Sequence, residues 1–278
     1  MELINGRKIA QEILDKLKLE VSKLNFQLIF CDVLIGNNAV SLSYVKAKAR
    51  KAQEIGLDFK ILQLLENVST DEVIENINEI QKNPHLCGLI VQLPLPAQID
   101  KQKVLNAINP NVDVDCLGQV NIEAFYSGRP LIFPPTTAAI LEIIDLLKVD
   151  LKEKKFLVIG QGDLVGKPIT YALKARGLNV SVVDKSTADL KSLTAEADVI
   201  ISGAGHAQLL TSEFIKPSTI LIDAGTAESA GSIVGDIDME SVRDKASILA
   251  PVPGGVGPIT VAKLLENAVS RAILKSKT

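Results

Sequence analysis

The sequence predicts an α/β chain built from two parallel-sheet units in succession. Three observations support this. Short, apolar, β-rich runs alternate with segments whose apolar residues recur at helical spacing almost throughout the 278 residues. A second series of the same kind restarts after a proline-rich stretch at Pro130, Pro134 and Pro135. Strand patterns separated by helix patterns need crossover connections, which makes neighbouring strands parallel.

The elements follow in order. Ile9, Ile13, Leu17 and Val21 share one helical face within 8–24. Residues 26–35, Phe-Gln-Leu-Ile-Phe-Cys-Asp-Val-Leu-Ile, read as a buried strand. A helix over 41–55 stops at Gly56, which can take the left-handed conformation that closes a helix. Strand 58–63, helix 70–82, strand 88–92 and a polar helix after Ile99 complete the first series. In the second, helix 136–148 leads to strand 155–160, helix 165–176, strand 179–184, a short helix near 188–194, and strands 198–202 and 219–223. A glycine-rich loop, Pro251-Val-Pro-Gly-Gly-Val-Gly-Pro258, precedes a helix over 259–275. The two units join near 120–135.

Composition removes several classes of function. Thirty Lys+Arg against 33 Asp+Glu leave a net charge of -3, with no electrostatic pull toward a polyanion. A 47% hydrophobic content excludes intrinsic disorder. Cys31, Cys87 and Cys116 are scattered and odd in number, and only His85 and His206 supply imidazoles. Neither a disulfide framework nor a histidine-rich metal site can be assembled from them. No metal is therefore expected, and organic cofactors are. The N-terminus leads into an amphipathic helix without an apolar signal core, and no apolar run is long enough to span a bilayer, so a cytoplasmic protein is expected.

Four places can hold chemistry. The turn Gly160-Gln161-Gly162-Asp-Leu-Val165-Gly166 lies between a strand and a helix. Its backbone N–H groups meet a positive helix end, where a pyrophosphate can rest; the plainer reading is a tight turn that needs glycine for packing. Asp184 ends the next strand, 24 residues after Gly160. A carboxylate there can accept hydrogen bonds from both ribose hydroxyls of NAD and repel a ribose phosphate, with Lys185 offsetting part of that repulsion; alternatively it faces solvent. On the helix over 41–55, Ser41, Tyr44 and Lys48 share one side, either as a site or as part of a solvated basic face with Lys46, Arg50 and Lys51.

Third, Gly88-Leu-Ile-Val-Gln92-Leu93-Pro-Leu-Pro96 delivers a lone amide to the C-terminal edge of a parallel sheet, where ligands bind, or merely caps a strand. Fourth, Asp113-Val-Asp115 is too poor in neighbouring ligands for a metal; one carboxylate reading paired N–H donors of a heterocycle fits better. Cys116 has no histidine near it in sequence to act as a nucleophile's base. His206, in Gly203-Ala-Gly-His, follows a strand, either as a surface loop histidine or as a residue that approaches the cofactor.

Together these strings resemble the bifunctional methylenetetrahydrofolate dehydrogenase/cyclohydrolase family over essentially the whole chain. The pieces stand in family order: Ser41-x-x-Tyr44-x-x-x-Lys48, Gly88 to Pro96, Asp113-Val-Asp115, Gly160 to Pro168, and Pro251 to Thr260. The resemblance implies a Rossmann-type dinucleotide-binding domain (122–258) inserted into a parallel-sheet folate catalytic domain (1–121 and 259–278), with a cleft between them. It makes Lys48 the central catalytic residue and Gln92 its partner. Tyr44 would lie against the aminobenzoyl ring, and Asp115 would hold the pterin's amino and ring N–H groups. Ser41, Leu93, Pro253, Gly254 and Gly255 would complete the folate contacts. Gly160, Gln161, Gly162, Val165, Gly166, Asp184, Lys185, Ala204, Gly225, Thr226 and Thr260 would line the dinucleotide. A cytoplasmic homodimer serving purine biosynthesis is also implied.

The chain departs from the family most on the cofactor side. Gly160-Gln161-Gly162 replaces a Gly-Arg-Ser or Gly-Ala-Ser start, and Asp184-Lys185-Ser186-Thr187 replaces His-Ser-Arg/Lys-Thr. Most of the family uses NADP; these changes favour NAD or a relaxed preference. Elsewhere Cys116 follows the Asp-Val-Asp string where glycine is usual, Pro134-Pro135-Thr136-Thr137 replaces Pro-Cys-Thr-Pro, and Ile222-Asp223-Ala224-Gly225-Thr226-Ala227 replaces Val-Asp-Val-Gly-Ile-Asn. A cyclohydrolase with weak or lost dehydrogenase activity, or a non-catalytic binding homologue, is the alternative.

Overall fold

The computed structural model describes residues 1–187, 189–229 and 232–276. Its first half runs β1 (Glu2–Leu3), α1 (Gly6–Val21), β2 (Ile29–Ile35), α2 (Ala39–Glu54), β3 (Asp58–Leu64), α3 (Thr70–Ile80), β4 (Leu86–Val91), α4 (Lys101–Asn106) and α5 (Gln119–Tyr126). The second runs α6 (Pro135–Leu146), β5 (Lys155–Ile159), α7 (Gly166–Ala175), β6 (Asn179–Val183), α8 (Leu190–Glu196), β7 (Val199–Ser202) and β8 (Ile220–Asp223). It continues with β9 (Ala227–Ser229), β10 (Ser232–Val234), α9 (Met239–Val242), β11 (Ile248–Ala250) and α10 (Val256–Ser276). The α/β class is as expected. No helix among the described residues is long and apolar enough to cross a membrane.

The chain folds as two compact units, Met1–Ala10 with Thr136–Thr260, and Gln11–Pro135 with Val261–Thr278. These bounds differ from 1–121, 122–258 and 259–278, for identifiable reasons. β1 pairs in parallel with β11, which draws the N-terminus into the other sheet. Gly6 packs so tightly on the glycine-rich loop that a Cβ there would lie 1.8 Å from the Gly255 carbonyl oxygen. Asn267 Nδ2 on α10 donates to the carbonyls of Val114 and Phe133, both at 2.9 Å, tying residue 133 to the Gln11–Pro135 unit. Strands of two and three residues are too short to show a period, so β1, β11 and the antiparallel β9–β10 pair were not anticipated.

In the Gln11–Pro135 unit three parallel strands lie in the order β3-β2-β4. Cys31, Val33 and Ile35 project from the central strand into a core with Val73, Ile77 and Val104. By the two-residue period of a strand, Phe30, Asp32 and Leu34 face the opposite way. Phe30 stacks on Phe59 with centroids 5.5 Å apart, and Gly88 is needed beside it because a Cβ would come within 2.7 Å of the ring. One residue breaks this apolar pattern: Asp32 is fully buried.

The other unit carries a six-stranded sheet in the order β1-β11-β8-β7-β5-β6. Its neighbours pair in parallel throughout. Strand order reverses at β5, with β6 on one side and β7 on the other. The C-terminal end of β5 is therefore a topological switch point, the place where open α/β sheets bind ligands.

Candidate active site

Helix α2 begins at an Asn38 cap whose side chain accepts a hydrogen bond from Ser41 N at 3.0 Å. Val45, Ala52 and Ile55 form its buried stripe, and Lys48 falls on that stripe one turn after Val45. Lys46 and Arg50 are exposed, and Lys51 pairs with Glu54 at 2.7 Å. The solvated basic face is therefore real, but Lys48 is not part of it.

Lys48 Nζ lies 2.8 Å from Gln92 Oε1, to which it donates, and 2.7 Å from Asp32 Oδ2. The lysine side chain is 12% exposed and the aspartate 0%. No other donor among the described residues reaches either Asp32 oxygen. Gln92 follows β4 directly; its backbone N–H donates to Val33 O at 2.9 Å, which fixes it beside the end of the central strand. Its Nε2 donates to Leu93 O at 2.9 Å, so Oε1 is the atom turned to the lysine. Burial raises the Asp32 carboxyl, and the Lys48 charge opposes that rise without cancelling it.

Asp113 and Asp115 have different jobs. Asp113 is buried and accepts from Leu117 N, Gly118 N and Asn121 Nδ2 at 3.2, 3.0 and 3.0 Å. It organises the loop, which Leu89 N anchors to β4 through Val112 O at 2.8 Å. Asp115 is pushed up to about 6 by burial, against the field of Lys48 and reinforced by Asp113 and Asp32. It thus belongs electrostatically to the Lys48 cluster. Cys116 is buried with a left-handed φ of 58°, where glycine sits without strain, and burial pushes its thiol up to about 12. It stays protonated and is no nucleophile.

Ser41 is buried, whereas Tyr44 is 41% exposed, an aromatic face open one turn before Lys48. Pro253, Gly254 and Gly255 belong to the other compact unit, as do all the expected dinucleotide residues. Gly254 has a φ of 106° and open space at its Cβ position, whereas a Cβ on Gly255 would meet Pro251 O at 2.6 Å.

At the switch point the turn is tight on one side and open on the other. A Cβ on Gly160 would lie 2.6 Å from Gly203 O, and one on Gly166 only 1.8 Å from Gly160 O. A Cβ on Gly162 would meet nothing within 4 Å. Val165 caps α7 without a side-chain hydrogen bond, so no side-chain acceptor from the cap competes at the helix start, where Lys167 N donates to Gly162 O at 3.1 Å and Pro168 has no N–H. That arrangement fits a pyrophosphate. Gln161 Nε2 turns back to Gly160 O and Thr170 Oγ1, at 3.0 and 3.3 Å. Asp184 and Lys185 are exposed just beyond β6; Asp184 Oδ1 accepts from Ser186 Oγ at 2.6 Å and Ser186 N at 2.9 Å, which holds its carboxyl below the usual range.

Two buried carboxylates that the sequence reading passed over staple the neighbouring loops. Asp236 accepts from Ser202 Oγ, Ala204 N and His206 N at 2.6, 2.7 and 2.8 Å. Asp223 accepts from Gly225 N at 3.0 Å and Ile237 N at 2.9 Å, and burial pushes it up to about 7. Thr226 is exposed beside them, as is His206; Thr260 Oγ1 donates within α10 to Val256 O at 3.2 Å. Asp32 is the third carboxylate missed. Its signal was visible: one ionisable residue inside an otherwise apolar strand run.

Residues 4–115 match the catalytic-domain model of tetrahydrofolate dehydrogenase/cyclohydrolase, and 134–276 match its NAD(P)-binding-domain model. The "Bifunctional protein FolD" of Rickettsia bellii is 38% identical over 273 residues, covering 96% of each chain. The crystal structure of the FolD methylenetetrahydrofolate dehydrogenase/cyclohydrolase from Campylobacter jejuni superposes with a TM-score of 0.94 at 35% identity, covering 99% of both chains. The Trypanosoma brucei enzyme, complexed with NADP and an inhibitor, gives the same TM-score at 30% identity, covering 99% of this chain and 98% of its own. With both halves of the family's architecture matched in order, this chain belongs to the tetrahydrofolate dehydrogenase/cyclohydrolase family.

Proposed function

We propose that the protein oxidises 5,10-methylenetetrahydrofolate to the 5,10-methenyl cation and hydrolyses that cation to 10-formyltetrahydrofolate. The observation that carries this reading is the Lys48–Gln92 contact of 2.8 Å at the C-terminal edge of a parallel sheet, with Asp115 in the same electrostatic cluster. Asp115 accepts hydrogen bonds from the pterin's amino and ring N–H groups, and Tyr44 lies against the aminobenzoyl ring. Ser41, Leu93, Pro253, Gly254 and Gly255 are assigned to the remaining folate contacts.

When bound, the dinucleotide supplies a nicotinamide that accepts the hydride. The protein's share in that step is alignment, for which effective molarities correspond to about 7–11 kcal/mol. Gly160, Gly166 and the start of α7 hold the pyrophosphate; Gln161, Gly162, Val165, Ala204, Gly225, Thr226 and Thr260 line the rest. In the hydrolytic step Lys48 takes a proton from the attacking water and returns one to the departing pterin nitrogen, while Gln92 keeps the amine aimed.

For the dinucleotide we favour NAD or a relaxed preference over strict NADP. The reason is Asp184, an ionised carboxylate just past β6, where a ribose phosphate would meet like charge. Following dinucleotide reduction and methenyl decay together by absorbance tests both activities, and repeating the run with NAD and NADP tests Asp184. Methenyl decay without reduction would leave only the cyclohydrolase; neither signal would leave a binding protein; a strong NADP preference would refute the role of Asp184. A cytoplasmic homodimer supplying formyl groups for purine biosynthesis goes with this reading, and the solution mass tests the dimer.

A further inference from the structure

We propose that Asp32 is the positioning residue of the hydrolytic site: it holds Lys48 in place and stores the lysine's proton while the amine acts on water. The inference rests on the cyclohydrolase reading above and deepens it. Asp32 sits in the central strand β2 among Phe30 and Leu34, at 0% exposure, with Oδ2 2.7 Å from Lys48 Nζ. A carboxylate in such a place is unfavourable unless it is paired, and Lys48 is the charged partner beside it. Gln92 cannot share the task. Its Nε2 is committed to Leu93 O, and its Oε1 can accept a hydrogen bond but cannot take a proton near neutral pH.

The chemistry of the substrate gives Asp32 something to do. A methenyl cation brought to an ammonium meets like charge. Moving one proton from Nζ to Oδ2 converts the ion pair into a neutral amine and a neutral carboxyl group, with no heavy atom displaced. The amine lone pair then takes a proton from water as the water oxygen bonds to the methenyl carbon. When the bond from that carbon to the pterin nitrogen breaks, its electron pair stays on nitrogen, which takes the proton from Lys48. The hydroxyl proton of the adduct leaves to solvent as the formyl C=O forms. One water is consumed and one proton released overall. Without Asp32, the lysine's own proton would first have to escape to bulk water.

Burial keeps the Asp32 carboxyl raised even with Lys48 beside it, so the neutral form is within reach. Among the described residues, the other titratable groups coupled to the pair are Cys31, next to Asp32 on β2 but turned to the other side of the sheet, whose thiol is pushed up to about 11, and Asp115, pushed up to about 6. Between about pH 7 and 9 both keep one protonation state, so that window isolates the pair.

The test compares wild type, Asp32→Asn and Asp32→Ala as full chains, with thermal melts by circular dichroism. Methenyl hydrolysis by Asp32→Asn should fall about 10²-fold in kcat at pH 7, with folate KM within about twofold. Asp32→Ala leaves no polar atom on that face of β2 and covers the case in which the amide variant does not fold. Added formate should restore part of its rate by supplying a small carboxyl group. Asn and Ala variants that keep the wild-type kcat would overturn the proposal, as would a slow Ala variant that formate leaves unchanged. Absence of hydrolysis by the wild type would instead refute the cyclohydrolase reading itself.

Discussion

Lys48→Met removes a cation from a site that water hardly reaches. Methionine is close to lysine in length and refills the space on the α2 stripe, so packing loss is small. The electrostatic loss is not, because Asp32 is 0% exposed and no other donor among the described residues reaches it. Breaking a pair buried to this degree destabilises by about 3–5 kcal/mol when the remaining charge stays ionised. With a urea m-value of about 3 kcal/mol/M, the midpoint should fall by about 1 M or more at neutral pH. The sign of the pH dependence follows. Burial already raises Asp32 in the wild type, and the variant loses the cation that opposed the rise. A group raised in the folded state contributes stability below its unfolded value of about 3.9 and loses it as pH rises through the folded value. The variant loses it over a wider span, so its deficit should be small in acid and grow toward neutrality. Urea unfolding of both proteins at several pH values is the assay, and Asp32→Asn/Lys48→Met should recover most of the deficit. A deficit that does not vary with pH, or one below about 1 kcal/mol at neutrality, would refute this account of the pair.

Other perturbations separate the remaining roles. Gln92→Leu removes the 2.8 Å acceptor of the lysine ammonium; hydrogen bonds to charged groups contribute about 1.5–3 kcal/mol, so methenyl hydrolysis should slow about 10- to 100-fold with little change in dinucleotide KM. Gly166→Ala places a Cβ 1.8 Å from a backbone oxygen and should lose soluble, dinucleotide-binding protein, whereas Gly162→Ala meets nothing within 4 Å and should melt within about 0.5 kcal/mol of wild type. If Gly162→Ala nevertheless weakens dinucleotide binding in calorimetry, the phosphates lie over that open side. Asp115, raised to about 6, must be ionised to accept from the pterin, so folate affinity should fall about tenfold per pH unit below that value. Asp115→Asn should abolish this slope, and an unchanged slope in the variant would place the titration elsewhere.

Most of the architecture could be read from the chain, as could the residues proposed for the site. Alternating periods located the longer strands and helices, because a face that must be buried repeats its apolar residues at the element's own spacing. Lys48, Gln92 and Asp115 stood in specific strings, and the structure brings Lys48 and Gln92 to hydrogen-bonding distance. Edge strands of two or three residues were invisible, since so few side chains define no period. So were the breaks between compact units, which depend on β1 pairing with residues nearly 250 positions away along the chain and on Asn267 reaching Val114 and Phe133. Sequence alone determined the class of the fold, the order of its parts and the candidate chemistry, because those follow from local pattern and residue type. Only the tertiary structure decided which carboxylates count. Asp113, Asp223 and Asp236 turn inward to hold loops, while Asp32 meets a lysine across the sheet–helix interface. Burial and partnership set a carboxylate's role, and both are properties of contacts between segments far apart in sequence.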